Sequence, residues 1–80
     1  LSHEEGRLFA KLKRLRREIA LDQEVPPYVV FNDLSLAEMA IAQPQCDSEF
    51  MAINGVGRSK LQRYGDRFMS AIGDFVQALE

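Results

Sequence analysis

Basic side chains are concentrated at two places in this 80-residue chain. Six Lys and Arg residues lie between Arg7 and Arg17 without an acid among them, and the other four lie between Arg58 and Arg67. Cationic groups clustered in this way contact phosphate groups or acidic protein surfaces, although a charge run can also be a solvated face. The candidate contact residues are Lys11, Lys13, Arg14, Arg17, Arg58 and Lys60.

Two uncharged features could complement these cations. Gly55-Val56-Gly57 stands at a predicted helix start, where backbone N–H groups and the positive helix end bind phosphate, as in helix–hairpin–helix motifs. The alternative is that the glycines only permit a sharp turn. Tyr28 follows two prolines, so it is either a stacking platform for an unpaired base or a half-buried core aromatic.

The acidic residues occupy a different part of the sequence. Between Glu18 and Gly57 there is no Lys or Arg, and the net charge of the chain is −2. This balance argues against strong nucleic-acid binding, which requires a basic surface. The acids around Glu24, Asp33 and Glu38 favour a second interpretation, an acidic face that docks on a basic protein surface.

Catalytic and metal-binding sites are not predicted. The chain has one histidine, His3, and one cysteine, Cys46. A nucleophile needs a base to activate it, and a metal site needs three or four clustered ligands. The single cysteine excludes an internal disulfide and suits the cytoplasm. Since no run of about 18 apolar residues occurs, no membrane span is predicted.

Helical periodicity predicts the elements that position these residues. Leu8, Leu12, Leu15 and Ile19 form one apolar stripe, which predicts a helix over residues 6–21 with a basic outer face. Residues 25–31 are predicted as an extended or 3₁₀ connector, because the two prolines interrupt the helix.

Capping residues and glycines predict four further helices. The second begins near Asn32, Asp33 or Ser35 and ends near Ala42, and the third begins at Asp47 or Ser48. The fourth spans Arg58–Tyr64, with Gly65 as its C-cap, and Asp66 caps the fifth. The sequence therefore predicts an all-α, compact five-helix domain over residues 7–80. We expect residues 1–6 to be a linker or the remainder of one, the domain to be a monomer, and the chain to be a piece of a longer protein.

The order of several short segments resembles the HRDC domain, the helicase and RNase D C-terminal module. The resemblance covers residues 7 to about 79, and its connector resembles that of bacterial RecQ helicases more than that of RNase D. The segments are Leu8-Phe9-Ala10-Lys11-Leu12 through Arg16, Val25-Pro26-Pro27-Tyr28-Val29-Val30-Phe31-Asn32-Asp33, Leu36-Ala37-Glu38-Met39-Ala40, Ile53-Asn54-Gly55-Val56-Gly57, and Lys60-Leu61 through Tyr64-Gly65.

The resemblance implies a non-catalytic accessory domain of an ATP-dependent DNA helicase that acts in DNA repair, recombination and replication. In this family the module binds single-stranded or junction DNA weakly, or contacts its own helicase core. Tyr28 and the basic residues of the first helix and of the Gly55–Gly57 turn match positions of DNA contact, and Asn32 matches an edge used against the core. ATP and a divalent metal are expected only in the parent helicase, and a bacterial, nucleoid-associated location is implied.

Overall fold

Residues 1–79 form five helices, the number that the sequence predicts, but several helix boundaries differ from the prediction. The computed structural model describes residues 1–79. The helices are α1 (His3–Gln23), α2 (Pro27–Val30), α3 (Asp33–Ala42), α4 (Asp47–Met51) and α5 (Arg58–Ala78). Residues 1–79 contain no β-strand, so the predicted all-α, five-helix class is confirmed.

The first helix begins earlier than residue 6, where apolar periodicity placed its start. Ser2 is its N-cap: the Ser2 Oγ accepts a hydrogen bond from the Glu5 N–H at 3.1 Å, and the Glu5 carboxylate accepts one from the Ser2 N–H at 2.8 Å. This reciprocal capping box satisfies two backbone donors and lets the helix start before its apolar stripe. His3 therefore lies in the first turn of α1, while the domain boundary at residue 7 stays a prediction.

The segment predicted as an extended or 3₁₀ connector instead contains a single α-helical turn, α2. Pro26 has an extended backbone, and Pro27 occupies the first helical position. A backbone N–H at that position would have no partner within the helix, so the N–H that proline lacks is not missed. One 3₁₀-type bond from the Val29 N–H to the Pro26 carbonyl accompanies the turn. As expected, Val30 and Phe31 are buried in the core, although Tyr28 faces solvent.

The predicted break between a fourth and a fifth helix does not exist, because α5 is continuous through Gly65 and Asp66. Gly65 is buried, and a Cβ placed there would lie 2.7 Å from the Leu61 Cδ1, so the glycine permits close packing within the helix rather than ending it. Tyr64, Phe68 and Ile72, spaced by four residues, form an unbroken buried stripe across the glycine.

The core is organised around Phe31, which is fully buried where α2 meets α3. Its ring makes edge-to-face contacts with Phe50, Tyr64 and Phe68 at centroid distances of 5.9, 5.8 and 5.0 Å. These three partners come from α4 and α5, so Phe31 joins three helices. Such aromatic pairs add specific geometry to the burial of apolar surface.

The two long helices run antiparallel. Near one end, the Tyr64 hydroxyl of α5 donates a hydrogen bond to the Gln23 Oε1 of α1 at 2.9 Å. Near the other end, the Arg7 guanidinium lies 5.6 Å from the centre of the Phe75 ring. Helices α2 and α3 pack on α1, and α4 packs on α5.

None of the helices within residues 1–79 is long and apolar enough to cross a membrane.

Candidate nucleic-acid interface

The basic residues of α1 lie on two different sides of the helix. Lys11 and Arg14 face α5, whereas Lys13 and Arg17 face the segment at residues 25–27. Lys11 and Lys13, two positions apart, are separated by about 200° around the helix, and Arg14 and Arg17 lie between them, so the four cations cover a wide arc rather than one narrow face. The structure therefore does not bring together all the basic residues that were predicted to act jointly.

The side facing residues 25–27 forms a surface groove of about 430 Å³, which we call the α1–α2 groove. The ammonium of Lys13 lies 4.7 Å from the centre of the Phe9 ring, which holds its stem against α1. Arg17 is exposed at the groove edge. The groove is lined by Lys13, Arg16, Arg17, Ala20, Leu21, Val25 and Pro27.

Arg16 fixes α2 and the start of α3 to α1. Its side chain is 12% exposed and donates a hydrogen bond to the Phe31 carbonyl at 3.0 Å. The same guanidinium forms an ion pair with Asp33 at 2.7 Å. Because Arg16 already has these partners, it acts as a positioning residue, and Lys13 and Arg17 are the cations of the groove that face solvent.

Tyr28 is 69% exposed, so the interpretation of this residue as a core aromatic is wrong. It follows Pro27, which lines the α1–α2 groove. The turn beneath it is held by the two prolines and by the bond from Arg16 to the Phe31 carbonyl. A tyrosine ring on a constrained turn loses little conformational freedom when a base stacks on it.

The Gly55–Gly57 turn lies against the start of α3. Gly55 has a φ of +86°, and a Cβ at this position would lie 2.6 Å from the Ser35 Oγ. The Ser35 hydroxyl donates a hydrogen bond to the Asn54 carbonyl at 2.6 Å. The Asn54 N–H donates one to the Glu38 carboxylate at 2.9 Å. The glycine is therefore required by the backbone and by the close approach of α3.

The turn also leads into α5 as a phosphate-binding motif would. Gly57 is the N-cap and has no side chain, and the first bond inside the helix runs from the Leu61 N–H to the Gly57 carbonyl. The N–H groups of residues 58–60 therefore point outward, as at helix starts that bind anions. Arg58 is exposed beside them, and the Lys60 ammonium lies 5.4 Å from the centre of the Phe31 ring. The Glu38 carboxylate next to this turn opposes a phosphate there.

The residues predicted to form an acidic docking face mostly have partners within the domain. Asn32 is the N-cap of α3 and accepts a hydrogen bond from the Ser35 N–H at 2.8 Å. Asp33 pairs with Arg16, and Glu38 accepts the Asn54 N–H. Glu24, in the left-handed conformation at the end of α1, is exposed. Three of the four predicted residues thus stabilise local structure.

Sequence reasoning missed several apolar residues on the surface. Leu21 is 70% exposed beside Arg17, and it falls outside the buried stripe of α1 that ends at Ile19. Leu34 and Ile41 are 59% and 57% exposed on α3. Their spacing of seven residues places them on the same side of the helix, a signal that was present in the sequence.

Histidine, cysteine and carboxylate side chains do not gather into a metal-binding group within residues 1–79. Cys46 is exposed at the start of α4, where its sulfur lies 3.3 Å from the Ser48 hydroxyl. His3 is exposed in the first turn of α1. The candidate features within residues 1–79 are Tyr28, the cations of α1 and the backbone N–H groups at the start of α5.

Known proteins are similar to this chain in sequence, and a solved structure is similar to it in fold. Residues 5–72 match the HRDC domain family. The chain is 51% identical over 65 residues to the ATP-dependent DNA helicase RecQ of Haemophilus influenzae, a match that covers 81% of this chain and 10% of that protein. It is 46% identical over 69 residues to the ATP-dependent DNA helicase RecQ of Bacillus subtilis, covering 86% of this chain and 12% of that protein.

Among solved structures, the chain is similar to D. radiodurans RecQ HRDC domain 3. The TM-score is 0.87 and the sequence identity is 31%, with 94% of this chain and 97% of that chain covered. The chain thus spans about a tenth of the length of the curated helicases it matches, but nearly all of the solved HRDC domain. The resemblance drawn from the ordered sequence segments is confirmed: this chain belongs to the HRDC domain family.

Proposed function

We propose that this domain binds single-stranded DNA weakly as an accessory module of a RecQ-type DNA helicase and thereby tunes the choice of substrate. The observation that carries the proposal is the exposed Tyr28 ring on a constrained turn that leads out of a groove edged by Lys13 and Arg17. Single-strand binders combine a stacking aromatic with cations that follow the backbone. The relatives' description as DNA helicases supports the same context.

The two basic sides of α1 are not equivalent in this proposal. The groove between α1 and α5, which Lys11 and Arg14 line, also contains Glu18, Asp66 and Asp74. These carboxylates repel a phosphate, whereas no acid among residues 1–79 lines the α1–α2 groove. DNA therefore passes along Lys13, Arg17 and Tyr28. With few cations involved, the affinity is weak and falls as salt is raised.

Tyr28→Ala tests the proposal. We expect the dissociation constant for a short single-stranded oligonucleotide to rise by about 5- to 150-fold, since a stacked base contributes about 1–3 kcal/mol. Fluorescence anisotropy of the labelled oligonucleotide at low and at physiological salt measures the effect. The fold should persist, because the ring makes little contact with the core.

Two controls define the result of this experiment. Tyr28→Phe keeps the aromatic face and should bind nearly as well as the unchanged chain. Val29→Ala shortens the neighbouring side chain, which is also exposed, and should leave affinity unchanged. Equal binding by Tyr28→Ala and the unchanged chain would contradict the stacking role, and an absence of binding at low salt would contradict DNA contact altogether.

A second function, docking on another part of the parent helicase, is favoured by the exposed Leu34 and Ile41. Helix α3 is apolar on both its buried and its exposed side, and α1 covers only the buried one. Asp33 and Glu38 accompany these residues on the same helix, so a partner surface would be apolar with basic residues around it.

Leu34→Ser with Ile41→Ser in the full-length helicase distinguishes this second function from the first. If docking is the role, we expect the double variant to change DNA unwinding by the helicase. Binding of single-stranded DNA by the isolated domain should not change. Unaltered unwinding, measured by strand displacement, would reject α3 as a docking surface.

A further inference from the structure

The α1–α2 groove has two chemically different walls. The apolar wall consists of Leu21, Val25 and Pro27, and the basic edge consists of Lys13 and Arg17. Leu21 is the most exposed of the large apolar residues within residues 1–79, at 70%. Leu21 therefore places apolar surface one helical turn from the Arg17 cation, a combination that suits a ligand with both apolar and anionic parts.

The combination of lining residues narrows the class of that ligand. The groove, at about 430 Å³, lies in the size range of pockets that hold small organic groups. Its apolar wall suits a flat ring, and its cations suit a phosphate, while none of the carboxylates in the described part of the chain lines it. A nucleotide has this composition, with a base that binds apolar surface and a phosphate that binds Lys or Arg.

We infer that the α1–α2 groove is a pocket for one unstacked nucleotide of single-stranded DNA. The base lies against Leu21, Val25 and Pro27, and its flanking phosphates contact Lys13 and Arg17. The inference rests on the proposed function and extends it, because it adds a second base-binding position next to Tyr28. The two base-binding positions are adjacent, because Pro27 lines the groove and Tyr28 is the next residue.

The pocket also predicts a preference for single strands over duplexes. A base in a duplex is stacked and paired, so it cannot reach a groove wall without leaving the helix. Arg16 at the groove is held by the Phe31 carbonyl and by Asp33, and therefore positions the wall rather than binding phosphate. Two cations remain for the backbone, which is consistent with contact to a single nucleotide.

The test compares two probes and two variants of the isolated domain. The probes are a short oligothymidylate and an abasic oligomer of the same length and charge, which keeps the phosphates and lacks the bases. The variants are Leu21→Ser in the groove and Ile41→Ser on α3, a comparably exposed residue outside the groove. Circular dichroism of each variant verifies that the helices are intact.

We expect Leu21→Ser to weaken binding of oligothymidylate by about three- to tenfold, since it removes apolar surface under one base. Binding of the abasic oligomer, which is already weaker, should be unchanged by Leu21→Ser. The dependence of affinity on salt should also be unchanged, because no cation is removed. Ile41→Ser should bind both probes as the unchanged chain does.

Equal affinity of Leu21→Ser and the unchanged chain for oligothymidylate would overturn the pocket. A loss that is the same for both probes would also overturn it, because the base would then not be what Leu21 contacts. In either case a large effect of Tyr28→Ala on the same probe would show that the proposed function holds without the pocket. If the unchanged chain binds neither probe at low salt, both the function and the pocket are rejected.

Discussion

Phe31→Ala is expected to lower the free energy of unfolding by about 3–5 kcal/mol, the range for removing a buried phenylalanine. The ring is fully buried and has edge-to-face contacts with Phe50, Tyr64 and Phe68. A truncated side chain would leave a cavity where α2, α4 and α5 meet. A domain of this length has a total stability of roughly 4–12 kcal/mol, so the loss is a large share of it.

Urea unfolding followed by circular dichroism measures this loss. Phe31→Leu keeps most of the volume and should cost less than half as much. Phe9→Ala serves as a control, because it removes the same phenyl ring at a position that is only partly buried. If the two alanine variants were equally stable, Phe31 would not be the centre of the core.

Gly55→Ala is expected to destabilise the domain by about 2–4 kcal/mol. The left-handed backbone costs an L-residue roughly 1–2 kcal/mol, and Gly55 has a φ of +86°. The added methyl would also lie 2.6 Å from the Ser35 Oγ, which donates its hydrogen bond to the Asn54 carbonyl. Displacing that hydroxyl weakens a bond with a net contribution of about 1 kcal/mol.

Gly57→Ala is the matched control for this substitution. Gly57 has a φ of −103°, and a Cβ there would meet no atom within 4 Å. We therefore expect thermal unfolding to separate the two variants, with the midpoint lowered by several degrees for Gly55→Ala and little changed for Gly57→Ala. Similar midpoints would mean that the turn does not need its left-handed residue.

Local periodicity was sufficient to predict most of the core but not where each helix starts and stops. The stripe of Leu8, Leu12 and Ile19 is buried as predicted, because spacing alone decides which side of a helix is apolar. Gly65 misled the prediction, since glycine ends a helix only when it adopts the left-handed conformation. The continuous apolar stripe of Tyr64, Phe68, Ile72 and Phe75 was the better signal.

The types of residue in the candidate site were predictable from the sequence, but which of these residues lie together was only partly predictable. A helical wheel separates Lys11 from Lys13, but which of them faces α2 depends on how α1 packs, and that is tertiary information. Asn32, Asp33 and Glu38 were assigned to a docking face because they are acidic or polar. Asn32 caps α3 by accepting the Ser35 N–H, a local bond in keeping with its place among the predicted caps. The partners of Asp33 and Glu38, which are Arg16 and the Asn54 N–H, come from chain segments that sequence reasoning could not bring together.

The antiparallel pairing of α1 and α5 has a mechanical consequence. Because Arg7 meets Phe75, both ends of the helical pair leave the domain on one side. The groove around Ala20 lies 13 residues further along α1, or roughly 20 Å away. In a longer polypeptide, segments joined to either end of this helical pair would therefore meet the domain roughly 20 Å from the groove, and the rigid pair would set that separation.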